Sequence, residues 1–396
     1  MKSTIFVFAY YSFKDPVFQS AVLPYLKAVQ DENLKYVLLT WEQKQFSLSK
    51  NEIKKIEVDL VNYNISWKRT TWHSGSFKPI KKIFDFTFGL IYCLNLIRKY
   101  KATKIFSEGF PGAVIGHYLS KLSGKPHIIH TFEPHADYMF ESGVWQKSSW
   151  EYRFLKKMEL PIAKHAEHII TATSAYKNLL GQNGIENHIH TIPSCINMDE
   201  YYFDEESRTQ IRSELEIKND QIVIVYLGKI GGMYMEDELF NFFKHCLMLD
   251  SNKFHFFLFT NHPQELIKQK LNQFNISQQK VYSNYLEKEE VSKYLSAADI
   301  GFCGIRPIPS RRFSSPIKNG EYWACGLPTL IPIGISDDYI LTEQENIGGV
   351  FNTIEEITLG KIENLSTISR TKIRTIGLRE RNFNSYINKW IRIFKS

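Results

Sequence analysis

The sequence predicts an α/β protein made of two successive, doubly wound domains. Three observations predict it. The chain has 396 residues, room for two domains of ordinary size. Short apolar runs alternate with longer amphipathic ones. That alternation pauses at a polar stretch near residue 195 and then restarts. With 43% hydrophobic and 14% aromatic residues, each half can bury a core.

The elements follow in order. Thr4–Tyr10 reads as a strand, Pro16–Gln30 as a helix and Lys35–Thr40 as a strand. Pro79–Lys101 reads as a helix, Lys104–Ser107 as a strand, Ala113–Leu122 as a helix and His127–Thr131 as a strand. Trp150–Ala163 is helical, and His168–Thr173 is a strand. His190–Phe203, with Pro193 and Asn197, reads as a linker. Beyond it come a strand Gln221–Leu227, a helix Glu236–Leu249, a strand Phe254–Thr260 and a helix Pro263–Phe274. A short strand Val281–Ser283, a helix Glu289–Ala297, a strand Ile300–Cys303, a helix Asn319–Cys325 and a strand Thr329–Pro332 complete the second half. Arg370–Phe394 is basic and helical. The segmentation gives two Rossmann-like domains, 1–195 and 196–375, and a C-terminal helix, 376–396, crossing back to the first. Ligands bind outside the carboxyl ends of parallel strands, so a cleft between two facing sheets is the expected site.

Composition narrows the function. A net charge of +7 favours anionic partners such as phosphates, and no arginine- or lysine-rich arm points to nucleic acid. The five cysteines are scattered without a CxxC pair, which suits a reducing compartment and argues against a disulfide framework or a zinc site. The opening apolar run is too short for a signal segment. The most apolar window, Ile83–Ile97, contains Asp85 and Asn95 and falls short of the ~20 residues that span a bilayer. The expected location is cytoplasmic, with a peripheral contact at the inner face of the membrane as a separate expectation. Its basis is Lys81, Lys82, Arg98, Lys99, Lys101 and Lys104 flanking an apolar helix with Phe84, Phe86, Phe88 and Leu90.

The segment Ser314–Pro328, reading SSPIKNGEYWACGLP, carries the most chemistry. Pro316 and Gly320 flank a helix start, whose free N–H groups and positive dipole end hold anions. Lys318 adds a full charge. Glu321 lies one turn further on, so both face one ligand. This suits a diphosphate at Lys318 and a hydroxyl-bearing group at Glu321. On spacing alone, an ordinary helix start with a surface ion pair fits equally.

The same segment resembles the donor-site signature of retaining glycosyltransferases with the GT-B fold, and in particular the family-four branch written SPxKxxEYxAxGxP. Other branches carry Glu-x7-Glu; Glu321 matches the second Glu, and Phe313 stands at the first. The resemblance extends along most of the chain. Val225–Tyr234 (VYLGKIGGMY) is similar to the phosphate loop opening the second domain, with Lys229 at its basic position; the family's second basic residue gives way to Glu236 and Asp237. Lys318 with Arg306, Arg311 or Arg312 would supply that charge. Thr191–Asn197 with Phe203 resembles the interdomain linker, and Ala297–Gly301 the strand entry before the donor loop. Gly334–Gly349 resembles the segment ending the sugar site, and Arg381–Phe383 with Tyr386 and Trp390 the C-terminal crossing helix.

The resemblance implies a GT-B-type arrangement of two domains facing a central cleft. It also implies transfer of a sugar from a nucleotide-diphosphate donor to a glycan or lipid-linked acceptor, with retention. Catalytic positions would be His135, Lys229, Lys318 and Glu321. Gly228, Gly231, Gly232, Tyr285, Ser315, Pro316 and Ile317 would bind the donor, with its base near Ser283–Tyr285. His135 and Asp137 follow the strand ending at Thr131, and Glu108 follows the preceding strand; Glu108 and Asp137 stand on the acceptor side. No Asp-x-Asp pair follows a strand and no His/Cys cluster has metal-ligand spacing, so no cofactor or metal is expected. Lys229, Lys318 and the helix start would carry the leaving diphosphate. Two rivals keep the fold: a sugar-nucleotide epimerase, and a non-catalytic nucleotide- or carbohydrate-binding protein.

Overall fold

The structure is a computed structural model that describes residues 3–71, 78–185 and 188–396, without the side chains of 78–86. The chain divides into two compact units. The first comprises residues 1–140, 144–192 and 386–396; the second, 141–143 and 193–385.

The first unit holds seven strands: β1 (Ser3–Ala9), β2 (Leu34–Glu42), β3 (Ile65–Thr71), β4 (Lys104–Glu108), β5 (His127–Thr131), β6 (His168–Thr171) and β7 (Ile189–Thr191). Their order is β3-β2-β1-β4-β5-β6-β7, and all neighbours are parallel. The sequence order reverses between β1 and β4, which makes that point the unit's ligand-binding crevice. Phe6 and Phe8 of β1 pack with Val37, Leu39, Ile105, Ile115 and Leu119 in one core.

The second unit repeats the plan with β8 (Ile222–Leu227), β9 (Phe254–Phe259), β10 (Val281–Asn284), β11 (Ile300–Phe302), β12 (Thr329–Pro332) and β13 (Gly348–Phe351). The order is β10-β9-β8-β11-β12-β13, again parallel, with its reversal between β8 and β11. Ile222, Ile224 and Tyr226 enter one core and Val223 and Val225 another. Both faces of β8 are covered, so it reads as an unbroken apolar run.

Local departures from the sequence reading have physical causes. The stretch read as one helix, Pro16–Gln30, is a wide turn over Phe18–Val22 and then an α-helix, Leu23–Ala28. Pro24 has no N–H to bond back into the preceding turn, so the winding changes there. Arg370–Phe394 is two helices, Arg370–Arg381 and Ile387–Lys395. Between them Ile196 N–H donates to the Arg381 carbonyl and Phe383 N–H to the Ile196 carbonyl, a backbone pairing that a continuous helix forbids. The stretch read as a linker contains β7. The helices Lys50–Val61, Ser174–Gln182 and Glu205–Glu214, and strands β3 and β13, go beyond that reading. No helix among the described residues is long and apolar enough to cross a membrane. Lys104, expected beside the apolar helix, is buried against Glu167 at 3.1 Å. The side chains of Lys81, Lys82, Phe84 and Phe86 lie outside the described residues.

Candidate functional site

In the second unit, three loops leave the carboxyl edge of the sheet side by side and are stitched together. Gly228 N–H, after β8, donates to the Phe259 carbonyl at 2.9 Å, and Thr260 N–H, after β9, to the Asn284 carbonyl at 3.0 Å. Ile230 N–H donates to His262 Nε2 at 3.2 Å. The turn needs its glycines: Gly231 and Gly232 have φ of 80° and 63°, and a Cβ on Gly231 would lie 2.7 Å from a Glu236 carboxylate oxygen.

Two buried tyrosines hold the loop from below. The Tyr226 hydroxyl donates to the Lys229 carbonyl. Leu227 N–H donates to the Tyr322 hydroxyl at 2.9 Å. Each ring lies against a glycine. A Cβ on Gly304 would come 2.4 Å from Tyr226, and one on Gly301 2.6 Å from Tyr322. On the other side of the reversal, the segment after β11 binds the same loop. Met235 N–H donates to the Gly304 carbonyl, and Arg306 N–H to the Met233 carbonyl. The Arg306 guanidinium donates to the Gly232 carbonyl at 3.2 Å and pairs with Glu238 at 3.0 Å.

Lys229 is exposed on this turn and pairs with no carboxylate among the described residues. The acidic pair that follows shares one cation: Lys270 meets Glu236 at 2.8 Å and Asp237 at 2.7 Å. Lys229 is therefore a cation whose turn is held by backbone bonds, two tyrosine hydroxyls, His262 and Arg306 rather than by an acidic partner of its own.

The helix Ile317–Ala324 links β11 to β12, so in a parallel sheet it begins at the same carboxyl edge. Pro316 is its N-cap, no side chain caps it, and its first turn holds no acid. The backbone donors of Ile317 and Lys318 therefore open the helix without a capping side chain. A buried network fixes it. Arg381 donates to Ser315 Oγ and to both carboxylate oxygens of Asp338, and to the Ser194 carbonyl at 2.9 Å. Ser194 N–H donates to Ser315 Oγ at 3.1 Å, and Asn319 Nδ2 to Asp338 at 2.7 Å.

One turn into the helix, Lys318 Nζ lies 2.9 Å from both oxygens of Glu321. The Glu321 side chain is 5% exposed and that of Lys318 40%. Burial, helped by hydrogen bonding to Glu321, pushes the Tyr201 phenol far up, so its proton stays on and donates to that carboxylate. Glu321 is thus a prepared acceptor group, clamped on two sides. Phe313, where a first Glu would stand, is buried under the Arg312 guanidinium at 4.6 Å. Arg311 is buried beside Ser314. Of the three arginines expected to supplement the charge, Arg306 is paired and Arg311 buried, while Arg312 is exposed and has no carboxylate partner among the described residues. Tyr285 is exposed after β10, two strands from β8, or about 10 Å across the sheet. That is close to the reach of a nucleoside from its diphosphate.

In the first unit the expected residues are more enclosed. Glu108 ends β4 and is buried against His130, with Nδ1 at 2.9 Å. Desolvation pushes its carboxyl up, against the pull of His130. A small pocket beside the pair measures about 10 Å³, room for one water. Glu108 presents no surface to an acceptor as it stands. His135 opens a short helix, His135–Glu141, with Nδ1 3.5 Å from Glu133 and its ring beside Trp145. Asp137 pairs with Lys156 at 2.5 Å and accepts from Tyr152 at 3.2 Å. Desolvation, with Glu108, Glu133 and Asp15 nearby, pushes the phenol of half-buried Tyr11 far up. The structure thus joins the second-unit residues around one loop and one helix start; in the first unit Glu108, and Glu133 beside His135, both act on Tyr11.

Sequence reasoning passed over Tyr226, Tyr322, Tyr201, His262 and the Arg381–Asp338 pair. Only the glycines at 301 and 304 signalled the tyrosines, since each marks a close approach.

No family model and no curated protein matches the sequence. Solved structures match it end to end. The UDP complex of Anabaena Alr3699/HepE aligns with a TM-score of 0.72 at 12% identity, over 99% of this chain and 98% of that one. Sucrose-phosphate synthase from Thermosynechococcus elongatus gives 0.69 at 13%, over 99% and 98%. WaaG, a glycosyltransferase involved in lipopolysaccharide biosynthesis, gives 0.66 at 12%, over 99% and 100%. At such identities the likeness is one of fold. With two parallel α/β units of seven and six strands and these whole-chain matches, the chain has the fold of the GT-B glycosyltransferases.

Proposed function

We propose that the chain is a glycosyltransferase that holds a nucleotide-diphosphate sugar at the carboxyl edge of its second sheet. One observation carries the reading. Lys229, without a carboxylate partner among the described residues, sits on a glycine turn and shares that edge with an N-terminus that no side chain caps and that carries Lys318. Such donors, fixed before the ligand arrives, stabilise charge as it develops on a leaving diphosphate. Backbone hydrogen bonds and buried tyrosines hold the Lys229 turn in place, so its charge needs no acidic partner to position it. The complexes of Alr3699/HepE with UDP and with UDP-glucose support this class of donor.

In this proposal Gly228, Gly231 and Gly232 let the diphosphate approach the backbone. Ser315, Pro316 and Ile317 present the helix start, and Tyr285 and Ser283 meet the base. Glu321 accepts from hydroxyls of the ribose or the sugar. Transfer proceeds with retention and without a metal: the anomeric C–O bond to phosphate breaks as the acceptor oxygen bonds on the same face. The acceptor proton passes to the departing phosphate, so no side-chain base is required. His135 and Asp137 of the first unit meet the sugar or a glycan or lipid-linked acceptor.

The test is release of nucleoside diphosphate from a panel of nucleotide sugars, with and without glycan and lipid-linked acceptors, and NMR of the product's anomeric centre. Acceptor-dependent release with an unchanged anomer is expected. Product without any acceptor would favour the epimerase reading instead.

A further inference from the structure

We infer, on the glycosyltransferase reading above, that the acceptor presents an uncharged sugar, whose hydroxyls Glu133 and Tyr11 hold at the carboxyl edge of the first sheet. Tyr11 lies two residues beyond β1 and Glu133 two beyond β5. β4 stands between those strands, so the two loops start about 10 Å apart and flank the point where the strand order reverses. Their side chains converge over β4. Tyr11 Oη lies 3.9 Å from where a Cβ on Gly109, the first residue after β4, would stand. Glu133 is among the charges that raise the Tyr11 phenol.

Glu133 is the carboxylate of this edge that the fold leaves unsatisfied. Its side chain is 12% exposed, and among the described residues no group donates a hydrogen bond to it. His135 Nδ1, at 3.5 Å, lies beyond the ~2.7–3.2 Å of such a bond. So enclosed a carboxylate is ordinarily hydrogen-bonded, and one that is not marks a place for a donor from outside. The neighbouring acids already have partners. Glu108 lies against His130, Asp137 pairs with Lys156 and accepts from Tyr152, and Glu159 accepts from the Ala136 N–H at 2.8 Å. Asp15 accepts from the Val17 N–H at 2.8 Å. The Tyr11 hydroxyl, like Glu133, has no hydrogen-bond partner among the described residues.

These two groups select the ligand. An ionised carboxylate only accepts hydrogen bonds, whereas a phenol both donates and accepts. Burial and the surrounding acids keep the Tyr11 proton in place. Glu133 therefore takes the O–H of one sugar hydroxyl, and Tyr11 donates to the oxygen of the same or the adjacent one. Since the departing phosphate takes the reacting proton, Glu133 binds the acceptor and takes none. Trp145 and Tyr138 set half-buried rings 5.9 and 6.0 Å from the His135 ring, an apolar flank for the C–H face of a pyranose. A phosphate has no hydrogen to spare for Glu133 and meets its like charge. Lys156, the cation on this side, is tied to Asp137 at 2.5 Å. The second sheet's edge is the reverse, offering Lys229 and Lys318. On this inference the chain extends a glycan that an earlier transfer has begun, and does not load the first sugar onto a carrier phosphate.

The test is saturation-transfer NMR on the full chain, with and without nucleoside diphosphates. The probes are the methyl glycosides of glucose, galactose, mannose and N-acetylglucosamine, and a short-chain polyprenyl phosphate. At least one glycoside is expected to bind, and the phosphate is not. Glu133→Gln exchanges a charge-assisted bond for a neutral one and should weaken that glycoside about tenfold; Tyr11→Phe should weaken it about threefold. Neither should change nucleoside diphosphate affinity in calorimetry. With an active donor, the acceptor KM should rise by the same factors while the donor KM stays. Neither group bonds within the fold, so neither variant should lower the melting temperature, as loss of a structural group would. Preference for the phosphate over every glycoside, or Glu133→Gln binding glycosides as well as wild type, overturns the inference. So does diphosphate binding without any glycoside binding, which leaves the donor reading standing; absence of both removes that reading as well.

Discussion

Replacing Lys229 by Ala separates binding from folding. Lys229 is exposed, has no carboxylate partner among the described residues, and bonds within its loop through its carbonyl, which Ala retains. Stability should therefore change by less than about 0.5 kcal/mol. A charge-assisted hydrogen bond to a phosphate contributes about 1.5–3 kcal/mol. Each 1.4 kcal/mol is tenfold, so a nucleoside diphosphate should bind about 10- to 150-fold more weakly. The free nucleoside should lose almost nothing, because the proposal puts its base and ribose towards Glu321 and Tyr285. The assay is isothermal titration of nucleoside and nucleoside diphosphate into wild type and variant, with urea unfolding as control. Equal losses for both ligands, or no loss for the diphosphate, would refute the assignment of the phosphate end to this turn.

Other outcomes follow from the same geometry. Lys318→Ala strands the 5%-exposed Glu321 beside Tyr201. Since Lys318 is itself partly exposed, unfolding should reveal a loss of only about 1–2 kcal/mol, restored by adding Glu321→Gln. Gly304→Ala drives a methyl group into the Tyr226 ring, costing about 1–3 kcal/mol and disturbing the Lys229 turn. Calorimetry should show weaker diphosphate binding even where the protein remains folded. Burial raises Glu159 to about 7, with the Ala136 N–H, Lys156 and His135 opposing. Its folded pKa exceeds its unfolded one, so its stabilising effect is complete below about pH 4.5 and lost as pH rises to about 7. Glu159→Gln should flatten that slope and raise stability at pH 8 by up to about 3 kcal/mol; an unchanged pH profile of the melting temperature would contradict this.

The fold was legible where burial was two-sided. β8 and β9 read as plain apolar runs because both faces are covered. The helix Lys50–Val61 escaped apolar periodicity because Leu60 is its only buried residue. Its start is nonetheless written in the Ser49–Glu52 capping box. β13, opening with two glycines, has Val350 as its only branched side chain, too little to mark a strand. At the site, Lys229, Lys318 and Glu321 stood out because charge near glycine or a helix start is a local pattern. The groups that hold them were hidden by distance along the chain. Tyr201 lies 120 residues before Glu321, and Asp338 lies 43 before Arg381. The Phe313 position also reads differently in three dimensions: it is filled by a buried ring that offers a ligand no polar contact.

The most direct test of the account is titration of nucleoside diphosphates bearing each of the common bases into the wild-type chain, with Lys229→Ala in parallel. The account predicts that at least one binds in the micromolar range, that its nucleotide sugar binds comparably, and that Lys229→Ala selectively weakens both. No measurable binding of any diphosphate by a folded wild-type protein would contradict it.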